Sequence, residues 1–78
     1  MLNLYGMRIR QAGLGTIPKD GFLGKVKYET LEEYNKENET TFLDLVVYDR
    51  KLSEEEVRDY QMNELGNISE EDYEKIIF

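Results

Sequence analysis

The sequence predicts a single α+β domain, in which a small three-stranded, mainly antiparallel sheet packs against two C-terminal helices. Three observations support this prediction. Residues 2–49 contain stretches of alternating apolar and polar side chains, which is the period of a half-buried strand. Residues 53–78 contain two serine-initiated helix starts followed by apolar side chains at helical spacing. The length of 78 residues leaves room for one domain with a modest core.

The first two strands are predicted on either side of a glycine-rich loop. Residues of alternating character mark the first strand: Tyr5, Gly6, Met7, Arg8, Ile9 and Arg10. The two arginines are expected on its wetter face. Several turn-forming residues then predict a loop: Gly13, Gly15, Pro18 and Gly21. Alternation resumes over residues 22–30, which predicts a second strand antiparallel to the first.

The segment after the second strand has two interpretations. Thr30 and Glu33 have the spacing of a capping box, which favours a short helical turn through Tyr34. Continuation of the strand into a long hairpin is the alternative. Residues 40–48 then combine threonine, β-branched and aromatic side chains, as is typical of a well-buried strand, and they form the clearest core element.

Ser53 is predicted to start the first C-terminal helix. Its hydroxyl can cap backbone N–H groups while Glu56 reaches back, and Leu52 can pack on Val57 as a hydrophobic staple. The spacing of apolar residues extends this helix to residue 65, and Gly66 is placed to end it.

A second helix is predicted to run from Ser69 to the C-terminus. Ser69 and Asp72 repeat the positions of Ser53 and Glu56, although the aspartate side chain is shorter. Three acidic residues follow each serine, which complements the positive end of each helix dipole.

Histidine and cysteine are both absent from the sequence. This excludes the usual catalytic triads, Cys-His dyads and imidazole or thiolate metal sites. Ser53 and Ser69 are the only serines, and capping accounts for both. We therefore expect no catalytic residue, no cofactor and no metal. An enzyme that uses a pair of its seventeen carboxylates is the alternative that remains open.

The same composition indicates location. Without cysteine no disulfide can form, so the reducing cytoplasm is the expected compartment. The longest strongly apolar run covers residues 45–48, too short to span a bilayer, and residues 1–10 lack the apolar segment of a secretory signal. No membrane partner is expected.

Charge is distributed unevenly along the chain. Residues 1–28 carry five basic side chains and one acidic, whereas residues 29–78 carry five basic and sixteen acidic. Pairing between the two parts is the simpler interpretation. A protein partner with a basic surface, such as a nucleic-acid-binding protein, is the functional one, and DNA itself should be repelled. The predicted partner-binding residues are Glu54, Glu55, Asp59, Glu64, Glu70, Glu71 and Glu74.

A basic sheet face provides the alternative surface. Its predicted members combine cations with an aromatic ring, as in proteins that bind single-stranded nucleic acid: Arg8, Arg10, Lys25, Lys27 and Tyr28. Four charges are few for that purpose, and they could equally pair with the acidic helices.

The stretch LVVYDRKLSEEEV at residues 45–57, continuing to Tyr60, carries two resemblances. It resembles the closing strand and turn of laminin-G-like domains, but a jelly roll needs more strands than this chain supplies, so only a strand-to-capped-helix arrangement is shared. It is also similar to small uncharacterised accessory proteins of phages and conjugative elements of Gram-positive bacteria. This second resemblance implies a genetic context rich in inhibitors of host defence, including anti-CRISPR proteins.

These observations lead to one functional prediction and two alternatives. The prediction is a non-catalytic acidic binding or regulatory protein, such as an accessory or counter-defence factor of a mobile element, that docks on a basic protein surface. A small nucleic-acid binder and a carboxylate-dependent enzyme are the alternatives. The sequence also leaves a homodimer open, because so short a chain gains from additional burial.

Overall fold

The described part of the chain, residues 1–8 and 17–77 of a computed structural model, forms four strands and three helices. In chain order they are β1 Leu2–Met7, β2 Phe22–Lys25, α1 Tyr28–Asn38, β3 Asp44–Tyr48, α2 Glu54–Asp59, β4 Met62–Ile68 and α3 Glu70–Ile76. The predicted α+β class with an antiparallel sheet is confirmed, but the sheet has four strands rather than three. Of the predicted first strand and loop, Ile9, Arg10, Gly13 and Gly15 lie outside the described residues.

The strand order is β2-β3-β1-β4, and every neighbouring pair is antiparallel. β2 pairs with β3 and not with β1, so the predicted antiparallel pairing of the first two strands is wrong. The physical reason is that alternation identifies a strand without specifying its neighbours. β3 takes an inner position because its Leu45, Val46, Val47 and Tyr48 are all buried and need cover on both faces.

Helix α1 settles the ambiguous segment after β2. The strand ends at Lys25 and the helix begins at Tyr28, so the hairpin alternative is wrong. The predicted capping box is also wrong, because Thr30 lies inside the helix and Lys27 occupies the N-cap without a side-chain capping bond. The helix ends where Glu39 adopts a left-handed backbone conformation.

The predicted long helix after Ser53 is wrong, because the helix is short and a strand follows it. α2 ends at Asp59, Gln61 adopts a positive φ of 53°, and β4 begins at Met62. Gly66 therefore lies within a strand and does not end a helix.

A β-bulge explains why β4 was not recognised from its pattern. Leu4 pairs with Gly66 and Tyr5 pairs with Glu64, so Leu65 is an extra residue in the ladder. A one-residue shift moves the following side chains to the other face of the sheet, and this shift hides the period of two.

Helices cover both faces of the sheet. The side covered by α1 and α3 holds Leu2, Leu4, Val26, Leu31, Phe42, Leu45 and Val47, with Tyr73 and Ile76 packed against them. The side covered by α2 holds Tyr5, Met7, Ile17, Val46, Tyr48, Leu52 and Met62, with Val57 packed against them. The two C-terminal helices therefore lie on opposite faces and not on the same one, because β1 and β3 bury apolar side chains on both faces.

Two buried tyrosines hold the connecting segments on the sheet. The hydroxyl of Tyr48 donates to the carbonyl of Pro18 at 2.6 Å, and the hydroxyl of Tyr5 accepts from the backbone N–H of Leu52 at 2.9 Å. Burial raises the pKa of Tyr48 to about 12. The Tyr48 hydroxyl is therefore neutral, and the hydrogen bonds of the two tyrosines position the segments before β2 and after β3.

Candidate functional site

A charged cluster fixes the start of α2. Ser53 Oγ accepts from the backbone N–H of Glu56 at 3.1 Å, and the Glu56 carboxylate accepts from the backbone N–H of Ser53 at 3.0 Å. The predicted capping box is therefore confirmed. Arg50 donates two hydrogen bonds to the same carboxylate, at 2.9 and 2.8 Å, and a third to the carbonyl of Asp20 at 2.8 Å.

The pKa shifts in this cluster favour the ionised form of both Arg50 and Glu56. The Arg50 guanidinium, followed by the Ser53 backbone, lowers the pKa of Glu56 to about 2, and the Glu56 carboxylate raises the pKa of Arg50. Glu56 is thus committed to holding the fold together. It is not available to a partner, which separates it from the other acidic residues of α2.

The start of α3 has half of this arrangement. Ser69 Oγ accepts from the backbone N–H of Asp72 at 3.1 Å, as predicted. The reciprocal bond from the Ser69 backbone to Asp72 is not formed within the described residues, since the aspartate side chain is one carbon shorter than glutamate. All the acidic residues of α3 remain exposed.

The predicted partner-binding residues fall into separate groups. Glu54, Glu55 and Asp59 lie on α2, on one side of the sheet. Glu70, Glu71 and Glu74 lie on α3, on the opposite side. The remaining member, Glu64, lies in β4, where its carboxylate is 3.8 Å from Lys51 Nζ. The structure therefore does not bring these seven residues onto one surface.

Helix α1 supplies the acidic residues that the sequence analysis missed. Glu29, Glu33 and Glu37 are exposed and recur every four positions, which places them in a row along one side of the helix; we call them the glutamate stripe. α1 covers the same side of the sheet as α3, and Lys27, Glu29, Thr30 and Lys75 line a cleft between the two helices. We define the acidic face as the exposed carboxylates of both helices: Glu29, Glu32, Glu33, Glu37, Glu70, Glu71, Asp72 and Glu74.

Most carboxylates of the acidic face form no ion pair with a described residue. Within residues 1–8 and 17–77, the ion pair from Lys75 to Glu71, at 4.0 Å between largely exposed groups, is the one that involves this face. A pair of this kind contributes little net stabilisation. The glutamate stripe makes no ion pair with another described residue. With eight carboxylates against Lys27, Lys36 and Lys75 on the same two helices, the acidic face has a net negative charge.

The described members of the predicted basic face are dispersed. The guanidinium of Arg8 lies 4.7 Å from the centre of the Phe42 ring, on the side covered by α1 and α3. Lys25 pairs in register with Val46, on the side covered by α2, and its Nζ lies 3.6 Å from Asp44. Lys27 precedes α1 at the N-cap. These three cations occupy different positions in the fold, although Lys25 and Tyr28 line one pocket together with Asp44, and Arg10 lies outside the described residues.

Tyr28, the aromatic member of that predicted face, is 65% exposed. Its hydroxyl is hydrogen-bonded to Glu32, and this carboxylate raises the pKa of Tyr28. The tyrosine thus belongs to the surface of α1 and has an acidic neighbour, which does not favour stacking with a nucleic-acid base next to a phosphate.

The charged side chains of the described residues all lie at or near the surface. No group of three or more His, Cys, Asp or Glu side chains in the described ranges is arranged to hold a metal ion. No charged residue in the same ranges is buried, whereas a carboxylate that acts as a general acid needs a site that disfavours its ionised form. The surfaces are suited to electrostatic binding.

The fold and surfaces define a small α+β protein with a net negative face on α1 and α3. A sequence model of the family described as "Defence against restriction A C-terminal" matches residues 1–67, and the chain belongs to this family. The match is consistent with the prediction of an accessory counter-defence protein of a phage or mobile element. It does not support the narrower resemblance to anti-CRISPR proteins. No match was found among curated proteins or among solved structures.

Proposed function

We propose that this protein is a non-catalytic counter-restriction factor that binds a protein of the host restriction machinery through its acidic face. The glutamate stripe on α1 carries this proposal. Its members, Glu29, Glu33 and Glu37, stand at i, i+4 spacing and form no ion pair with a described residue. Like charges at this spacing destabilise a helix, so the arrangement does not serve folding.

The chemistry of restriction explains the choice of partner. A restriction enzyme must present a basic surface to the phosphates of DNA. Exposed carboxylates on two neighbouring helices can occupy such a surface, and complementary charge accelerates association in a salt-dependent way. The net charge of −7 should at the same time repel DNA. The family description supports restriction as the process that is opposed.

The proposal is tested by expressing the protein in a bacterium with an active restriction system and measuring the plating efficiency of an unmodified phage. Wild-type protein should raise plating efficiency. The variant Glu29→Gln/Glu33→Gln/Glu37→Gln should lose this protection because it removes the stripe while keeping side-chain size. The matched control is Glu54→Gln/Glu55→Gln/Asp59→Asn, which removes the same charge from α2 on the opposite side of the sheet and should still protect.

A binding assay completes the test. The purified restriction enzyme should be retained by immobilised wild-type protein at low salt and released at high salt, and the stripe variant should retain less of it. Equal protection by wild type and stripe variant would contradict the role of the acidic face. Tight binding of DNA by the wild-type protein would instead favour the basic residues as the binding surface.

A further inference from the structure

A groove of about 350 Å³ lies at one end of the sheet, where α3 crosses it. We call it the end groove. It has an apolar part and an acidic part, and its six lining residues are Leu2, Leu23, Tyr73, Asp49, Glu70 and Glu74. Three of the six lie beyond residue 67, so the family match does not account for the groove.

The fold brings these residues together from four elements. In the strand order, β2, β3 and β1 are adjacent, so Leu23, Asp49 and Leu2 meet at one end of the sheet. Glu70, Tyr73 and Glu74 stand at i, i+3 and i+4 on α3, which places them on one side of that helix. The hydroxyl of Tyr73 donates to the carbonyl of Leu23 at 3.1 Å and fixes α3 on this edge of the sheet.

The apolar part of the end groove is open to a ligand. Leu23 is 37% exposed, although it is a large hydrophobic residue in a strand. Leu2 is buried and Tyr73 is partly exposed, so aliphatic and aromatic surface continue from the floor of the groove to its rim. An aliphatic chain could cover this surface and remove it from water.

The acidic part identifies the charge of that ligand. Asp49, Glu70 and Glu74 make no ion pair and no side-chain hydrogen bond with the residues that the structure describes, and all three are exposed. Their carboxylates approach the groove from two sides, the end of β3 and α3. A ligand that combines an aliphatic stem with a cationic head complements both parts of the groove.

We propose that the end groove receives an arginine side chain projecting from the partner protein, an inference that rests on the proposed function and names a contact within it. A guanidinium has five donors in a planar arrangement, which suits carboxylates placed on two sides better than the compact ammonium of lysine does. It also stacks favourably on an aromatic ring such as that of Tyr73. Arginine is abundant on surfaces that bind phosphates, so a DNA-binding partner supplies the required residue.

The test uses purified protein and three short peptides of identical sequence except at a central arginine, citrulline or lysine. Amide resonances of Leu23, Asp49 and Tyr73 should shift saturably with the arginine peptide. The neutral citrulline peptide should bind about tenfold more weakly, which corresponds to about 1.4 kcal/mol, and the lysine peptide should also bind more weakly. Equal binding by the lysine peptide would overturn the assignment of arginine.

Variants show whether the end groove is the site of binding. Asp49→Asn/Glu70→Gln/Glu74→Gln should weaken the arginine peptide about tenfold. The α2 control Glu54→Gln/Glu55→Gln/Asp59→Asn has the same change in net charge and should bind the arginine peptide like wild type. Equal weakening in both variants would show diffuse attraction and would overturn the end groove as a site. If circular dichroism shows that the triple variant is unfolded, the single variant Glu74→Gln replaces it. This variant should bind the arginine peptide more weakly than wild type, with a smaller loss of affinity than the triple variant.

The peptide result is independent of the phage assay. Arginine-selective shifts confined to the end groove support this inference even if the wild-type protein fails to protect against restriction. Failure to protect would contradict the proposed function but not the assignment of the end groove. Absence of those shifts overturns the groove even where protection is observed.

Discussion

Replacing Tyr5 with phenylalanine would test how the sheet holds the connection between β3 and α2. Tyr5 is completely buried, and its hydroxyl accepts the backbone N–H of Leu52 at 2.9 Å. The substitution leaves this N–H without an acceptor in a buried site, which costs about 1–3 kcal/mol. For a chain of this size, 1 kcal/mol corresponds to about 4–8 °C in Tm, so a fall of at least about 4 °C is expected.

Two other tyrosines provide matched controls for the same chemical change. Tyr48→Phe removes the donor to the Pro18 carbonyl, and an unsatisfied buried carbonyl is tolerated better than an unsatisfied N–H. Tyr28→Phe removes an exposed hydroxyl and should change stability by less than about 0.5 kcal/mol. The expected order of destabilisation is therefore Tyr5, then Tyr48, then Tyr28.

The measurement is urea denaturation followed by circular dichroism at constant pH, with the free energy of unfolding obtained from the midpoint and slope of each curve. An unchanged slope would show that the native and unfolded states differ by the same buried surface in each variant. The reasoning would be refuted if Tyr5→Phe kept the wild-type midpoint while Tyr28→Phe lost stability.

Three further substitutions test local features of the fold. Ser53→Ala should destabilise by about 1 kcal/mol in urea denaturation without abolishing partner binding, and loss of binding at unchanged stability would contradict its capping role. Gly6→Ala should destabilise by about 1–3 kcal/mol, because the added Cβ would lie 2.8 Å from the Phe42 ring; a wild-type midpoint would show that the ring moves freely. Glu56→Gln should reduce the loss of stability that acid causes. The pKa of Glu56 is lowered from 4.5 to about 2 in the folded protein, so the ionised carboxylate stabilises the fold above pH 4.5. This contribution disappears as the pH falls from 4.5 toward about 2. Identical stability profiles for Glu56→Gln and wild type between pH 5 and pH 2 would contradict this last expectation.

The parts of the fold that depend on neighbouring residues were predictable from the sequence. The capping box at Ser53 and the cap at Ser69 follow from side chains three positions apart, and both are present. The strand around Val46 follows from a run of β-branched and aromatic residues. In contrast, the pairing of β2 with β3 depends on residues far apart in the chain, and no local pattern specifies it.

The errors at β4 and α1 both arise where one segment fits a helical and a strand pattern at the same time. Val57 and Leu65 stand at helical spacing, yet a bulge at Leu65 lets a strand bury apolar side chains on both faces, so the helical pattern was coincidental. In α1, Leu31 and Tyr34 provide an apolar side three positions apart, a helical signal that competed with alternation in the residues just before it. The predicted partner-binding residues therefore include carboxylates of α3 but none of the carboxylates of α1.

The proposed function gives charge in this protein two roles, and stability measurements can separate them. Glu56 is held by Arg50 and Ser53 and contributes to folding. Glu33 and Glu37 have no such partner among the described residues, and their mutual repulsion opposes helix formation by about 0.2–0.5 kcal/mol. The variant Glu33→Gln/Glu37→Gln should therefore be at least as stable as wild type in low-salt urea denaturation, while it protects phage less well. A clear loss of stability would show that these carboxylates support the fold and would contradict their assignment to partner binding.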